Sequence, residues 1–269
     1  MADKLDEERV DINFESHPPI DDDLNGITTL LKQTLLQFVD CHSLANYLVK
    51  QKDLTQVIAQ EASEEPEGEE TSDDDDPDDD IYGLSSIIEL PLNNCKGDEA
   101  SYESRLQLLQ FIRDKCPEFK KMLEDVEEDK LKVCMIVNER YINLPPQLAL
   151  PTLKALTESI QSIGFTHFIF ISKILHRARN IDTKLPSKKS KSKSSNAQNA
   201  EPLVFINPEE EIISEQADYY TDLDVSAHCD ENATWSFSSD IKYIPHRRIL
   251  IVDSKKWPNI LKLLEKELS

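Results

Sequence analysis

The 269-residue chain carries 52 Asp and Glu against 30 Lys and Arg, giving a formal charge of -22 and a sequence pI of about 4.6. Binding along nucleic-acid phosphates draws its affinity from Lys and Arg, so no direct nucleic-acid binding is expected. The charge is also unevenly spread: residues 1–25 hold -7 and residues 61–80 hold -13, which leaves -2 on a nearly neutral body able to bury a core.

In chain order, Val10-Asp-Ile-Asn-Phe14 alternates apolar and polar residues and predicts a short strand within an acidic segment spanning residues 1–25. Ile27, Leu30, Leu31, Leu35 and Phe38 recur at helical spacing, and Leu44, Tyr47 and Leu48 predict a second helix capped by Ser43. Thr55–Ala59 returns to strand character. Residues 61–80 contain thirteen acids, no base and no periodicity, which predicts a solvated, disordered loop. Ser85–Leu90 reads as the strand on its far side, so the loop is expected to join two paired strands.

Tyr102–Lys115 is amphipathic and stops at Pro117, before a further short helix around Phe119–Leu123. Leu131–Val137 reads as a buried strand. A helix from Pro146, with Leu153, Leu156 and Ile160 inward and Gly164 as its stop, leads to a long strand over Phe165–Leu175. Strand, helix and strand in that order predict a parallel crossover unit. Residues 182–201 form a Lys- and Ser-rich linker. Leu203–Ile206, Ile212–Tyr220, Thr234–Phe237 and Arg247–Val252 then read as strands, before a closing helix with Ser254 as cap and Trp257, Ile260, Leu261, Leu264 and Leu268 on one face. The expected architecture is a single α/β domain over residues 26–269, a central mixed sheet flanked by helices and interrupted by loops at 61–80 and 182–201.

Chemistry is argued mainly by exclusion. The five glycines, Gly26, Gly68, Gly83, Gly97 and Gly164, cannot compose a phosphate-cradling loop, so neither a nucleotide nor a coenzyme A pyrophosphate site is expected. Five scattered cysteines without a Cys-x-x-Cys pair suggest reduced thiols. The pairs Cys41-His42 and His228-Cys229 point adjacent side chains in different directions, which disfavours a metal site. No apolar run approaches the twenty residues of a membrane helix, and no signal sequence is read at the N-terminus. No catalytic, cofactor-binding or metal-binding residue is expected.

Four features remain as binding candidates. The acidic loop Glu61, Glu64, Glu65, Glu67, Glu69, Glu70, Asp73, Asp74, Asp75, Asp76, Asp78, Asp79 and Asp80 has the field to hold a basic client protein. Within it, Thr71 and Ser72 precede acids and are candidate phosphosites. Lys188, Lys189, Lys191 and Lys193 form a candidate patch for an import receptor. The run from Asn138, Glu139 and Arg140 through Pro145 and Pro146 to Pro151 is read either as a binding loop or, in preference, as a tightly specified strand-to-helix connection with local hydrogen bonds.

These residues resemble the BCCIP family along nearly the whole chain. The resemblance rests on Val10–Phe14 before an acidic spacer and Gly26-Ile27, Tyr82-Gly83 after the acidic loop, and above all Asn138–Pro151. Phe170–Lys173, the Lys/Ser linker, Phe205–Glu211 and Trp235–Phe237 extend it. The resemblance implies a fold similar to the GCN5-type acetyltransferases without a working coenzyme site. It also implies a nuclear protein, with some cytoplasmic pool, that chaperones a basic ribosomal protein of the large subunit and supports ribosome biogenesis. As an alternative it implies an adaptor for a recombination-repair protein and a cyclin-dependent-kinase inhibitor, and the implied fold alone suggests, as a less favoured third reading, an acyltransferase-like enzyme.

Overall fold

The computed structural model describes residues 13–61, 81–90, 99–128, 130–161, 163–178, 203–229 and 243–268. Its strands are β1 (Phe14–His17), β2 (Thr55–Gln60), β3 (Ile81–Glu89), β4 (Val133–Arg140), β5 (His167–Arg177), β6 (Leu203–Phe205), β7 (Tyr219–Asp224) and β8 (Tyr243–Asp253). All eight belong to one sheet, in the order β1-β2-β3-β4-β5-β8-β7, with β6 attached to β5. Every pairing is antiparallel except β4 with β5, the parallel pair that the crossover pattern predicts. The acidic tract lies between β2 and β3, whose pairing places Ala59 opposite Ile81.

Alternation along the central strands divides the core in two. Val133, Met135 and Val137 of β4, Ile169 and Ile171 of β5, and Ile249 and Ile251 of β8 face one side. There they meet α1 (Leu24–Leu35), α2 (Cys41–Lys50), α3 (Glu99–Lys115) and α4 (Lys120–Glu127). Cys134, Ile136, Phe168, Phe170, Leu250 and Val252 face the other, against α5 (Ala149–Ile160), α6 (Glu209–Gln216) and α7 (Trp257–Leu268). Trp257 anchors this second layer: its ring stacks on Phe170, and its Nε1 donates to Thr157 Oγ1 at 2.8 Å.

The structure corrects several sequence expectations. The first strand starts at Phe14 and runs to His17, and residues 10–12 lie outside the described part. The cap of α2 is Asp40, which accepts from the backbone N–H groups of His42 and Ser43, whereas Ser43 lies inside the helix. Asp253, by accepting from Lys255 N, takes the role assigned to Ser254 before α7. The largest change concerns Ile212–Tyr220, which divides between α6 and β7. Pro208 sets the helical start, three glutamates occupy the positive end of the helix, and Glu209, Glu210 and Ile213 are buried at helical spacing. The proposed strand at Thr234–Phe237 lies outside the described residues.

Candidate partner-binding site

Asn138, Glu139 and Arg140 are not loop residues but the last three residues of β4, all buried. β4 pairs with β3 to its end, where Gly83 faces Arg140, yet it pairs with β5 only from Val133–His167 to Met135–Ile169. Beyond that point the sheet opens. β5 pairs with β8 on one side and, at Ile174–His176, with β6 on the side that β4 has left.

Polar side chains fill this opening, because its backbone and charged groups must find partners away from water. Arg140 Nη2 donates to Glu209 Oε2 at 2.8 Å while its Nη1 bonds the other oxygen, and Asn138 Nδ2 donates to the same carboxylate at 2.9 Å. Asn207 donates to Glu210 Oε1 and to the Asn138 carbonyl. Glu210 is fully enclosed: burial, then the charges of Glu139 and Glu209, push its carboxyl up to about 8. The partners of Asn138 and Arg140 come from 69 to 71 residues away in sequence rather than from the local bonds expected of the motif.

On the opposite side of the sheet, Glu139 accepts from Thr34 and from Lys173, whose ammonium also donates to Gln33 Oε1 at 3.1 Å. Arg247, on β8, donates to the carbonyls of Thr34, Gln33 and His246 and so holds the C-terminal turn of α1. Leu36, which ends that helix, has φ 54 and ψ -124, a conformation that favours glycine and costs a leucine on the order of 1–3 kcal/mol. Above these groups opens a pocket of about 510 Å³ walled by Leu36, Ile142, Leu175, Ile206 and Pro245, with Lys173 and Arg247 also lining it.

The rim continues towards the acidic tract. Phe14, Tyr82 and Tyr141 form an edge-to-face series with centroid separations of 5.8 and 6.3 Å, and Ile142 is 57% exposed. Glu61, the last described residue of β2's extension, donates its N–H to the Asn13 carbonyl at 2.9 Å, so the tract leaves the sheet beside this aromatic series. Glu64 through Asp80, Thr71, Ser72 and Lys188 through Lys193 lie outside the described residues. Pro145 and Pro146 make the turn into a helical segment at Pro146–Leu148, and Pro151 lies in the first turn of α5, where its missing N–H costs no helical bond.

Among the described residues, no group of three or more His, Cys, Asp or Glu is placed to hold a metal, and no helix is long and apolar enough to cross a membrane. Cys41, Cys116 and Cys134 are buried thiols, and burial pushes Cys41 to about 11 and Cys134 well above the usual range. Such thiols are poor nucleophiles. Sequence reasoning missed Glu209 and Glu210 on one side of the sheet, and Gln33, Lys173 and Arg247 on the other, as members of these polar groups. The available signal was charge within strand-like apolar runs, at Lys173 and Arg247, and three glutamates after Pro208.

A family model described as BCCIP matches residues 9–213. The chain belongs to the BCCIP family. A BCCIP homologue of Drosophila melanogaster is 26% identical over 262 residues, covering 94% of this chain and 83% of its own. A Bos taurus BCCIP relative, named BRCA2 and CDKN1A-interacting protein, is 29% identical over 277 residues, covering 97% and 85%. BCP1 of Saccharomyces cerevisiae shares the fold, with a TM-score of 0.57, 16% identity and coverage of 96% of this chain and 90% of that one. An agmatine N-acetyltransferase mutant matches less well, at a TM-score of 0.41 and 8% identity, covering 89% and 99%. In this BCCIP member, Asn138–Arg140 are thus the β4 side of a buried polar seam between β4, β5 and α6.

Proposed function

We propose that this protein is a non-enzymatic nuclear chaperone and adaptor that holds a basic ribosomal protein of the large subunit and supports ribosome biogenesis. The observation that carries the reading is the concentration of charge: -13 of the chain's -22 falls on residues 61–80. The tract leaves the sheet beside Phe14, Tyr82, Tyr141 and Ile142, so a client can meet a long-range negative field and an aromatic surface at one end of the molecule. The Lys188–Lys193 patch serves an import receptor, and phosphorylation of Thr71 or Ser72 deepens the negative field.

A second reading has a specific warrant in the relatives' names. Several are called BRCA2 and CDKN1A-interacting protein, which supports binding of a repair protein and a cyclin-dependent-kinase inhibitor by this chain too. Purification of the tagged full chain at about 0.1 M salt, with mass spectrometry of what co-elutes, separates the two. A near-stoichiometric basic ribosomal protein, lost at higher salt or on deletion of residues 61–80, is the expected result. Repair or kinase-inhibitor proteins without a ribosomal client would place the second reading first.

A further inference from the structure

The 510 Å³ pocket lies in the size range of small-molecule sites and joins an apolar wall to a cationic floor. Its floor has an unusual charge balance. Lys173 is matched by Glu139, but the hydrogen bonds of Arg247, which is only 6% exposed, go to three backbone carbonyls and to no carboxylate. A guanidinium has five N–H donors, so the three bonds leave two without a protein acceptor among the described residues. Buried cations are normally matched by an anion; the C-terminal carbonyls of α1 supply only a partial negative charge, and Glu139 and Glu210 act on Arg247 through space without bonding it. Leu36 is held in a glycine-like conformation while its residue lines this same cavity, an arrangement typical of binding sites.

We infer that this pocket is a binding site for a small amphiphilic carboxylate, whose anionic head bonds Arg247 beside Lys173 and whose apolar body lies against Leu36, Leu175, Ile206 and Pro245. A neutral alcohol of the same shape would gain the apolar contacts and accept from the guanidinium, but would bring no charge to match it. A dicarboxylate would bury a second charge against an apolar wall. The site shares its Tyr141–Ile142 rim with the client-binding surface but requires neither the acidic tract nor a basic partner.

Decanoate is a suitable probe, with decanol as its neutral counterpart, and Cys229 in the pocket wall reports occupancy. Equilibrium dialysis of labelled decanoate against the full chain is expected to show one saturable site, with alkylation of Cys229 slowed at least tenfold at saturation. Decanol should bind at least tenfold more weakly. R247Q should abolish the preference for the acid. Because Arg247 also holds α1, Ile142→Glu at the exposed rim gives a second variant, expected to weaken decanoate at least threefold more than decanol, since the added negative charge acts on the acid alone. Absence of saturable binding, equal binding of acid and alcohol, or binding that neither protects Cys229 nor responds to I142E would each overturn the assignment.

Discussion

Replacing Glu209 by Gln tests the buried seam directly. Arg140 and Glu209 have side chains 5% and 0% exposed, and they share two hydrogen bonds that Asn138 supplements. The substitution keeps an acceptor for Asn138 but leaves the Arg140 charge buried without its counter-ion. Removing one partner of such a pair costs about 3–5 kcal/mol, a large share of the roughly 5–15 kcal/mol that holds a domain together. At about 2–4 °C per kcal/mol for a body of this size, the melting temperature should fall by roughly 6–20 °C. The double variant R140M/E209Q removes both charges while the amide oxygen introduced at position 209 still accepts from Asn138, so it should recover to within about 2 kcal/mol of the parent. Chemical denaturation of the parent, both single variants and the double variant gives the coupling energy, with unchanged m-values confirming that the same surface unfolds. A loss below about 1 kcal/mol for E209Q, or a double variant as unstable as the two single losses added together, would refute the claim that a mutually compensated ion pair closes the gap between β4 and β5.

Four further outcomes are expected. Glu210 titrates near 8 in the fold against 4.5 ordinarily, so the folded state retains a proton the unfolded chain releases; its contribution to stability is fully present below about pH 4.5 and is lost as pH rises to about 8. Glu210→Gln should flatten that part of the stability profile, and an unchanged slope in pH-dependent denaturation would reject the assignment. Gly83→Ala would place a Cβ 2.8 Å from Ile58 Cδ1 and 3.3 Å from the Glu139 carbonyl, so a loss of about 1–3 kcal/mol is expected by urea denaturation. Asp40→Ala should cost about 1 kcal/mol through the lost cap and Ser43→Ala distinctly less, as calorimetric melting of the two variants would show. Trp257→Ala should cost about 3–5 kcal/mol, because the ring is 3% exposed and packed on Phe168 and Phe170; thermal unfolding followed by circular dichroism checks it.

Elements with a clear period were legible one by one. Ile27, Leu30, Leu31 and Leu35 fall on one helical face and prove fully buried, and Phe165–Leu175 anticipates β5 because residues covered on both sides form an uninterrupted apolar run. Asn138–Arg140 looked like a loop for the opposite reason. Polar residues following an apolar strand carry no sign that they remain in the sheet, and here they do so because Glu209, Thr34 and Lys173 reach them from distant parts of the chain. Ile212–Tyr220 reads as strand because Ile212, Ile213, Tyr219 and Tyr220 suit one, whereas Pro208 and the three glutamates after it carry the signal for α6.

Composition and local pattern by themselves determined the acidic tract, the shortage of glycine for phosphate loops, the α/β order and the family resemblance, since each depends only on residues near one another in sequence. Tertiary structure alone decided that β4 and β5 part after three paired positions, that α6 brings Glu209 and Glu210 into the gap, and that Arg247 lines a pocket while hydrogen-bonding only backbone carbonyls. Charge pairing across 34 and 69 residues leaves no periodic trace, because a salt bridge requires closeness in space and imposes no spacing along the chain.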